Sequence, residues 1–164
     1  MTTAERRLAQ WLHTAAARIE GLHLQRIESS TGSGIPDIEG CWNGVSFWLE
    51  LKAVDRLPVK AHSRLSTAIS PAQRNWLARR WSVGGRVFVL LRTGQSRQMR
   101  YHLFPGSNVS ALTLLCRATI REYACRSYSS WTHSTTDGLL RKILHTVTVI
   151  GAEQRDDEDN HDDL

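Results

Sequence analysis

Apolar residues recur at helical spacing through the first twenty positions, with Leu8, Trp11, Leu12, Ala15, Ala16 and Ile19 on one stripe. This pattern predicts an amphipathic helix over residues 3–20, with Thr3 as N-cap and Gly21 as its stop. The period then changes. Leu22–Ile27 alternates as a strand does, and Glu28–Gly34 is a connector of turn-tolerant residues. A hairpin follows, with one arm over Asp37–Trp42, Asn43-Gly44 as a two-residue turn, and a second arm over Val45–Val54. Asp55–Ile69 has no clean period and reads as a loop. Ser70-Pro71-Ala72-Gln73 has the composition of a helix start: serine as N-cap, proline at the first helical position, glutamine at the capping-box position. That helix carries Trp76, Leu77 and Arg80 and ends near Val83-Gly84-Gly85. Arg86–Arg92 is a short run of the buried-strand type, Thr93–Ser96 turns the chain, and Gln98–Phe104 returns as a strand. Residues 107–126 and 136–146 read as helical.

The order of these elements predicts an α/β fold: a mixed central β-sheet flanked by helices, with a helical extension at the C-terminus. A length of 164 residues suits one domain over residues 1–150. No apolar run approaches the roughly 18 residues of a membrane span, and "MTTAERRLAQWLHT" has no apolar signal core. Three cysteines, Cys41, Cys116 and Cys125, with no CxxC pair, fit reduced thiols and a cytoplasmic setting.

Charge sharpens the picture. The net +5 hides an asymmetry, because the last 12 residues carry seven acids and one arginine, a net of −6. Residues 1–152 therefore hold 20 basic and nine acidic residues, a net of +11. A basic body points to a polyanionic partner, foremost nucleic acid, and residues 151–164 read as a disordered acidic tail.

The chemistry concentrates in the hairpin. Side chains alternate along a strand, so Val45, Phe47, Leu49 and Leu51 face a core while Ser46, Trp48, Glu50 and Lys52 face the other way. Glu50 and Lys52 become neighbours about 7 Å apart along the strand. Asp37, with 12 residues between it and Glu50, lies on the preceding arm where the two strands pair or splay. Two carboxylates in reach of each other can hold Mg²⁺ through oxygen ligands. Such an ion activates water and neutralises charge on a phosphodiester. The lysine can orient that water or stabilise developing negative charge. The plain alternative is a surface ion pair on a solvent-facing strand. Gln73 is equally a capping-box residue, and Glu5 an acid favourably placed in a first helical turn. Arg56, Lys60, Arg64, Arg74, Arg79 and Arg80 surround the motif in sequence and are candidates for phosphate contacts, which position a duplex without reading bases. Trp48 can pack on the core or stack on a base. No His or Cys spacing suggests a zinc site, and no phosphate-binding GxxxxGK[ST] loop is present.

Pro36-Asp37 and Glu50-Leu51-Lys52 together resemble the two motif halves of the PD-(D/E)xK nuclease superfamily. With "GIPD…FWLELKAVDRL…SPAQRNWL" the chain looks most like its VRR-NUC group of phage and bacterial nucleases. The likeness runs from Glu5 to Phe104 and leaves out the C-terminal helices and tail. It implies a restriction-endonuclease-like core and a DNA endonuclease dependent on Mg²⁺ or Mn²⁺. Asp37, Glu50 and the Leu51 carbonyl would be metal ligands, and Glu5 would serve a second metal or its water shell. Lys52 would act at the nucleophile or phosphate, and Gln73 would belong to the catalytic site. The group favours branched substrates such as Holliday junctions, in recombination, repair or replication. Symmetric cutting of a junction needs two active sites and hence a homodimer. A small nuclease of this type suggests a phage or bacterial source. Alternatives are a sequence-specific restriction or nicking enzyme, a non-catalytic DNA-binding or host-modulating protein on the same fold, and an RNA binder.

Overall fold

The structure is a computed structural model that describes residues 1–28, 34–129 and 136–159; the side chains of residues 136 and 151–159 fall outside that description. Helix α1 spans Thr3–Ala16 and strand β1 Leu22–Arg26; β2 covers Ile38–Trp42 and β3 Val45–Val54. Helix α2 (Pro71–Ser82) connects β3 to β4 (Val87–Thr93), and β5 is Arg100–Pro105. A short helix α3 (Ile120–Tyr123), strand β6 (Arg126–Ser129) and helix α4 (Thr136–Asp159) follow. The six strands lie in the order β1-β2-β3-β4-β5-β6. All neighbours are antiparallel except β3 and β4, which are parallel because α2 carries the chain back across the sheet. The α/β class, the mixed sheet and the C-terminal helix are as the sequence predicts.

Each face of the sheet has its own core. Leu8 and Leu12 of α1, with Ile143, Leu144 and Val147 of α4, cover Phe47, Leu49, Leu51, Phe88, Leu90 and Leu103. On the other face α2, the β3–α2 loop and residues 106–124 cover Val87, Val89, Leu91 and Phe104. Asn43 and Gly44 have φ of 49° and 84°, the paired positive values of a tight hairpin turn. No helix is long and apolar enough to cross a membrane among the described residues.

Several expectations shift. The N-cap of α1 is Thr2, not Thr3: its hydroxyl accepts from Glu5 N at 3.2 Å while Glu5 Oε2 accepts from Thr2 N at 2.6 Å. A reciprocal box needs an acid or amide three residues on, and Thr3 would place Arg6 there. The helix stops at Ala16, four residues before the expected end, although Ile19 still reaches the core. Residues 107–126 are not a helix. They form 3₁₀ turns at Gly106–Asn108 and Ala111–Thr113, the single turn of α3 and the start of β6. Val109, Leu112 and Leu115 recur every third residue, the eclipsed period of a 3₁₀ turn, and all three are buried. Helix α4 extends past residue 146 to Asp159, and residues 160–164 of the expected tail lie outside the described residues.

Candidate active site

The register of β2 on β3 pairs Ile38 with Leu49, which sets Asp37 opposite Glu50 where β2 begins. Beyond that point β3 has lost its β2 partner. The Leu51 N–H that would continue the ladder donates instead to Asp37 Oδ2 at 2.8 Å. A strand residue points its N–H and C=O to the same edge, so the Leu51 carbonyl lies on the Asp37 side too. The lead-in to Asp37 is fixed from the other side by Gly34. At φ +71° it passes so close to α2 that a Cβ would come within 2.4 Å of the Ala72 carbonyl carbon. Only glycine tolerates both conditions, and the contact brings the first turn of α2 to the sheet.

Glu50 is fully buried and Lys52 is 7% exposed, so the reading as a solvent-facing ion pair is excluded. Glu50 Oε1 accepts from Lys52 Nζ at 2.7 Å and from Gln73 Nε2 at 2.6 Å. Gln73 fills both of its sequence readings at once, because its Oε1 accepts from Ser70 N at 3.0 Å in the capping box of α2. Glu50 Oε2 is buried with no partner among the described residues. Burial pushes the Glu50 carboxyl up to about 7, and the Asp37 charge adds to this against the pull of Lys52. Burial also raises Asp37, opposed by the Leu51 N–H and by Lys52. The first turn of α1 closes the site: Glu5 is 8% exposed, and its charge acts on both Asp37 and Glu50.

The basic candidates do not converge as these residues do. Arg56, Lys60 and Arg64 are exposed on the β3–α2 loop, and Arg74 is half-buried beside Gln73 in sequence. Arg79 and Arg80 stand in the last turn of α2, about 10 Å along the helix from Gln73, where they complement its carbonyl end. Trp48 is half-buried edge-on to Trp76, with ring centroids 5.2 Å apart.

Sequence reasoning missed a second ionic cluster. Asp55, just past β3, binds Arg7 of α1 at 2.6 Å and also pairs with the buried Arg92 of β4. The available signal was Arg92 itself, since an arginine ending an apolar strand needs a buried acceptor.

Among the described residues, no group of three or more His, Cys, Asp or Glu side chains stands close enough to hold a metal ion unaided. The donor set still suits one. Two facing carboxylates, one with an orphaned buried oxygen, carry excess negative charge in a low-dielectric setting. Mg²⁺ needs only one or two carboxylates when water and substrate phosphate complete its shell. All available donors are hard oxygens, which favours Mg²⁺ or Mn²⁺ over softer metals.

No family model matches the chain, and no curated protein matches it. Among solved structures, it is similar to the 1.6 Å structure of Archaeoglobus fulgidus Hjc, a Holliday junction resolvase from an archaeal hyperthermophile. The identity is 20% and the TM-score 0.42, over 65% of this chain and 76% of that one.

Proposed function

We propose that this protein is a divalent-metal-dependent DNA endonuclease, selective for branched DNA. One observation carries the reading: Glu50 is wholly buried beside Asp37, held by Lys52 and Gln73 on one oxygen and left without a partner on the other. A structural ion pair has no reason to set a second acid beside a buried one and leave an acceptor orphaned.

Asp37, Glu50 and the Leu51 carbonyl would hold Mg²⁺ or Mn²⁺, which supplies a lowered pKa for bound water and charge neutralisation at the phosphate. The chain's own groups do the rest. Gln73 fixes the rotamer of Glu50 from the rigid start of α2. Lys52 Nζ lies 2.7 Å from the same oxygen. From there it can orient the attacking water or stabilise negative charge as it develops on the phosphoryl oxygens. Glu5 is tied into the α1 cap and adds negative charge at the rim. The exposed Arg56, Lys60 and Arg64, and Arg74 next to Gln73 in the chain, would bind phosphates flanking the scissile one. The preference for branched DNA, and the homodimer that paired cuts require, rest on the resemblance of the motif residues to the PD-(D/E)xK nucleases.

The test is cleavage of a labelled four-way junction, a flap, a linear duplex and a single strand, each with Mg²⁺, Mn²⁺ or EDTA. Cutting of the branched substrates with metal and none with EDTA is expected. Equal cutting of every substrate removes the structural selectivity, and binding without cutting in any metal removes the nuclease assignment.

A further inference from the structure

The same sheet face carries a second polar site, with the opposite charge. The cross-strand row that starts at Lys52 continues through Leu91 and His102 to Ser127. The next row runs from Val54 through Thr93 and Arg100 to Ser129. Residues paired across a sheet share a face, so His102, Thr93, Arg100 and Ser127 lie on the face of Glu50 and Lys52. Strands are about 4.8 Å apart, which places His102 about 10 Å from Lys52 and Ser127 about 14 Å away.

These residues open into a cavity of about 920 Å³. Arg97, Arg100, Arg117 and Arg121 line it, and no acidic side chain does among the described residues. At its floor the buried His102 bridges two hydroxyls, with Nε2 at 3.1 Å from Thr93 Oγ1 and Nδ1 at 2.8 Å from Ser127 Oγ. Burial, with the charges of Arg100 and Arg121, lowers His102 to about 4, so the ring is neutral near pH 7. A neutral imidazole donates from one nitrogen and accepts at the other. One of the two hydroxyls therefore accepts from His102 and keeps its own proton free to donate. The cavity thus offers guanidinium groups and a hydroxyl donor, the complement of a phosphate. The loop after β3 contributes Leu57 to its lining and is bonded to its wall. Leu65 N donates to Leu115 O at 2.8 Å and Ala118 N to Ala61 O at 3.2 Å. These bonds tie the loop bearing Lys60 and Arg64 to the segment bearing Arg117 and Arg121.

We propose that this arginine-lined cavity binds a backbone phosphate of the nucleic acid strand that reaches the Asp37–Glu50 site. The inference rests on the proposed nuclease reading for its geometry, because 10–14 Å corresponds to about three to four base-pair rises of duplex. The strand would be held at two points, and the scissile phosphate set by the distance between them.

The test is duplex binding measured by fluorescence anisotropy in EDTA over a salt series, for the wild type, an Arg117→Glu/Arg121→Glu variant and an Arg117→Lys/Arg121→Lys variant. The glutamate variant is expected to bind at least tenfold more weakly, with the salt slope reduced by about 1 to 2. The lysine variant is expected to stay near wild type, which separates lost charge from lost folding. Equal affinity and slope in all three proteins overturns the proposal. So does saturation of the cavity by inorganic phosphate, seen as His102 NMR shifts, that leaves duplex affinity unchanged, since the site would then serve free phosphate. Because binding is read without cleavage, a chain that never cuts DNA but shows the slope change loses the nuclease reading and keeps this one.

Discussion

Two ionic clusters sit at neighbouring points of β3, and they are built in opposite senses. At Asp55 one carboxylate meets two arginines, and each of its oxygens has a guanidinium partner. At Glu50 two carboxylates share one lysine, and a buried oxygen has no partner among the described residues. The Asp55 cluster ties α1 to the end of β4. Its own orphan, Arg92 Nε, is a donor and asks for an acceptor rather than a cation. The Glu50 cluster is short of positive charge. On the proposed reading, the difference separates an ion pair that holds the fold from one that waits for a cation, although both are Arg- or Lys-to-carboxylate contacts with a buried member.

The sharpest way to break that comparison is to neutralise Glu50. Glu50→Gln is expected to abolish metal-dependent cleavage while the protein remains folded and binds duplex, measured by gel assay and anisotropy. Lys52→Ala comes next, with kcat down about 10²–10³-fold, the scale of one lost electrostatic donor at a reacting phosphate. Gln73→Ala is expected to lower the rate about 10–100-fold through a misplaced Glu50, with about 1 kcal/mol of stability lost from the α2 cap. Asp55→Ala inverts the pattern. It is expected to cost about 2 kcal/mol in denaturant unfolding, discounted for the partial exposure of Asp55 and Arg7, and to leave cleavage per folded molecule unchanged.

The same contrast predicts a pH dependence with a definite sign. Glu50 is raised from its usual 4.5 to about 7, so the folded protein binds the extra proton between those values. The stability this group contributes is full below about pH 4.5 and is lost as pH rises through 7, about 3 kcal/mol in all. A divalent cation favours the ionised form. The rise in Tm on adding Mg²⁺ is therefore expected to be larger at about pH 8 than at about pH 6, and to vanish in Glu50→Gln. The Asp55 variant is expected to keep the wild-type response.

Much of the fold was legible because its elements have strong local signatures. Asn43-Gly44, the Ser70–Gln73 capping box and the apolar run from Val45 to Val54 each state their structure within a few residues. The stretch from 107 to 126 was not legible, because a threefold apolar period resembles a helix until its 3₁₀ turns are seen. Strand β6 is four residues long with three of them polar, and only its pairing with β5 defines it. The site was legible as a set of residues, since Asp37, Glu50, Lys52, Gln73 and Glu5 all gather at one end of the β2–β3 ladder. Its burial was not. Alternation alone leaves the Glu50 face open to solvent, and the loop and α2 that cover it carry no period that announces their docking. The Asp55 cluster and the arginine cavity depend on contacts across 20 to 60 residues, such as Arg7 with Asp55 and Ala61 with Ala118. Such contacts exist only once the sheet is assembled.

The most direct test of the central claim is a Mn²⁺ titration at about pH 8, where Glu50 is ionised, with duplex DNA bound and free Mn²⁺ followed by electron paramagnetic resonance. The wild type is expected to take up Mn²⁺ at a site that is lost in Glu50→Gln and retained in Asp55→Ala. Equal uptake by the wild type and Glu50→Gln, or none by the wild type, would contradict the account.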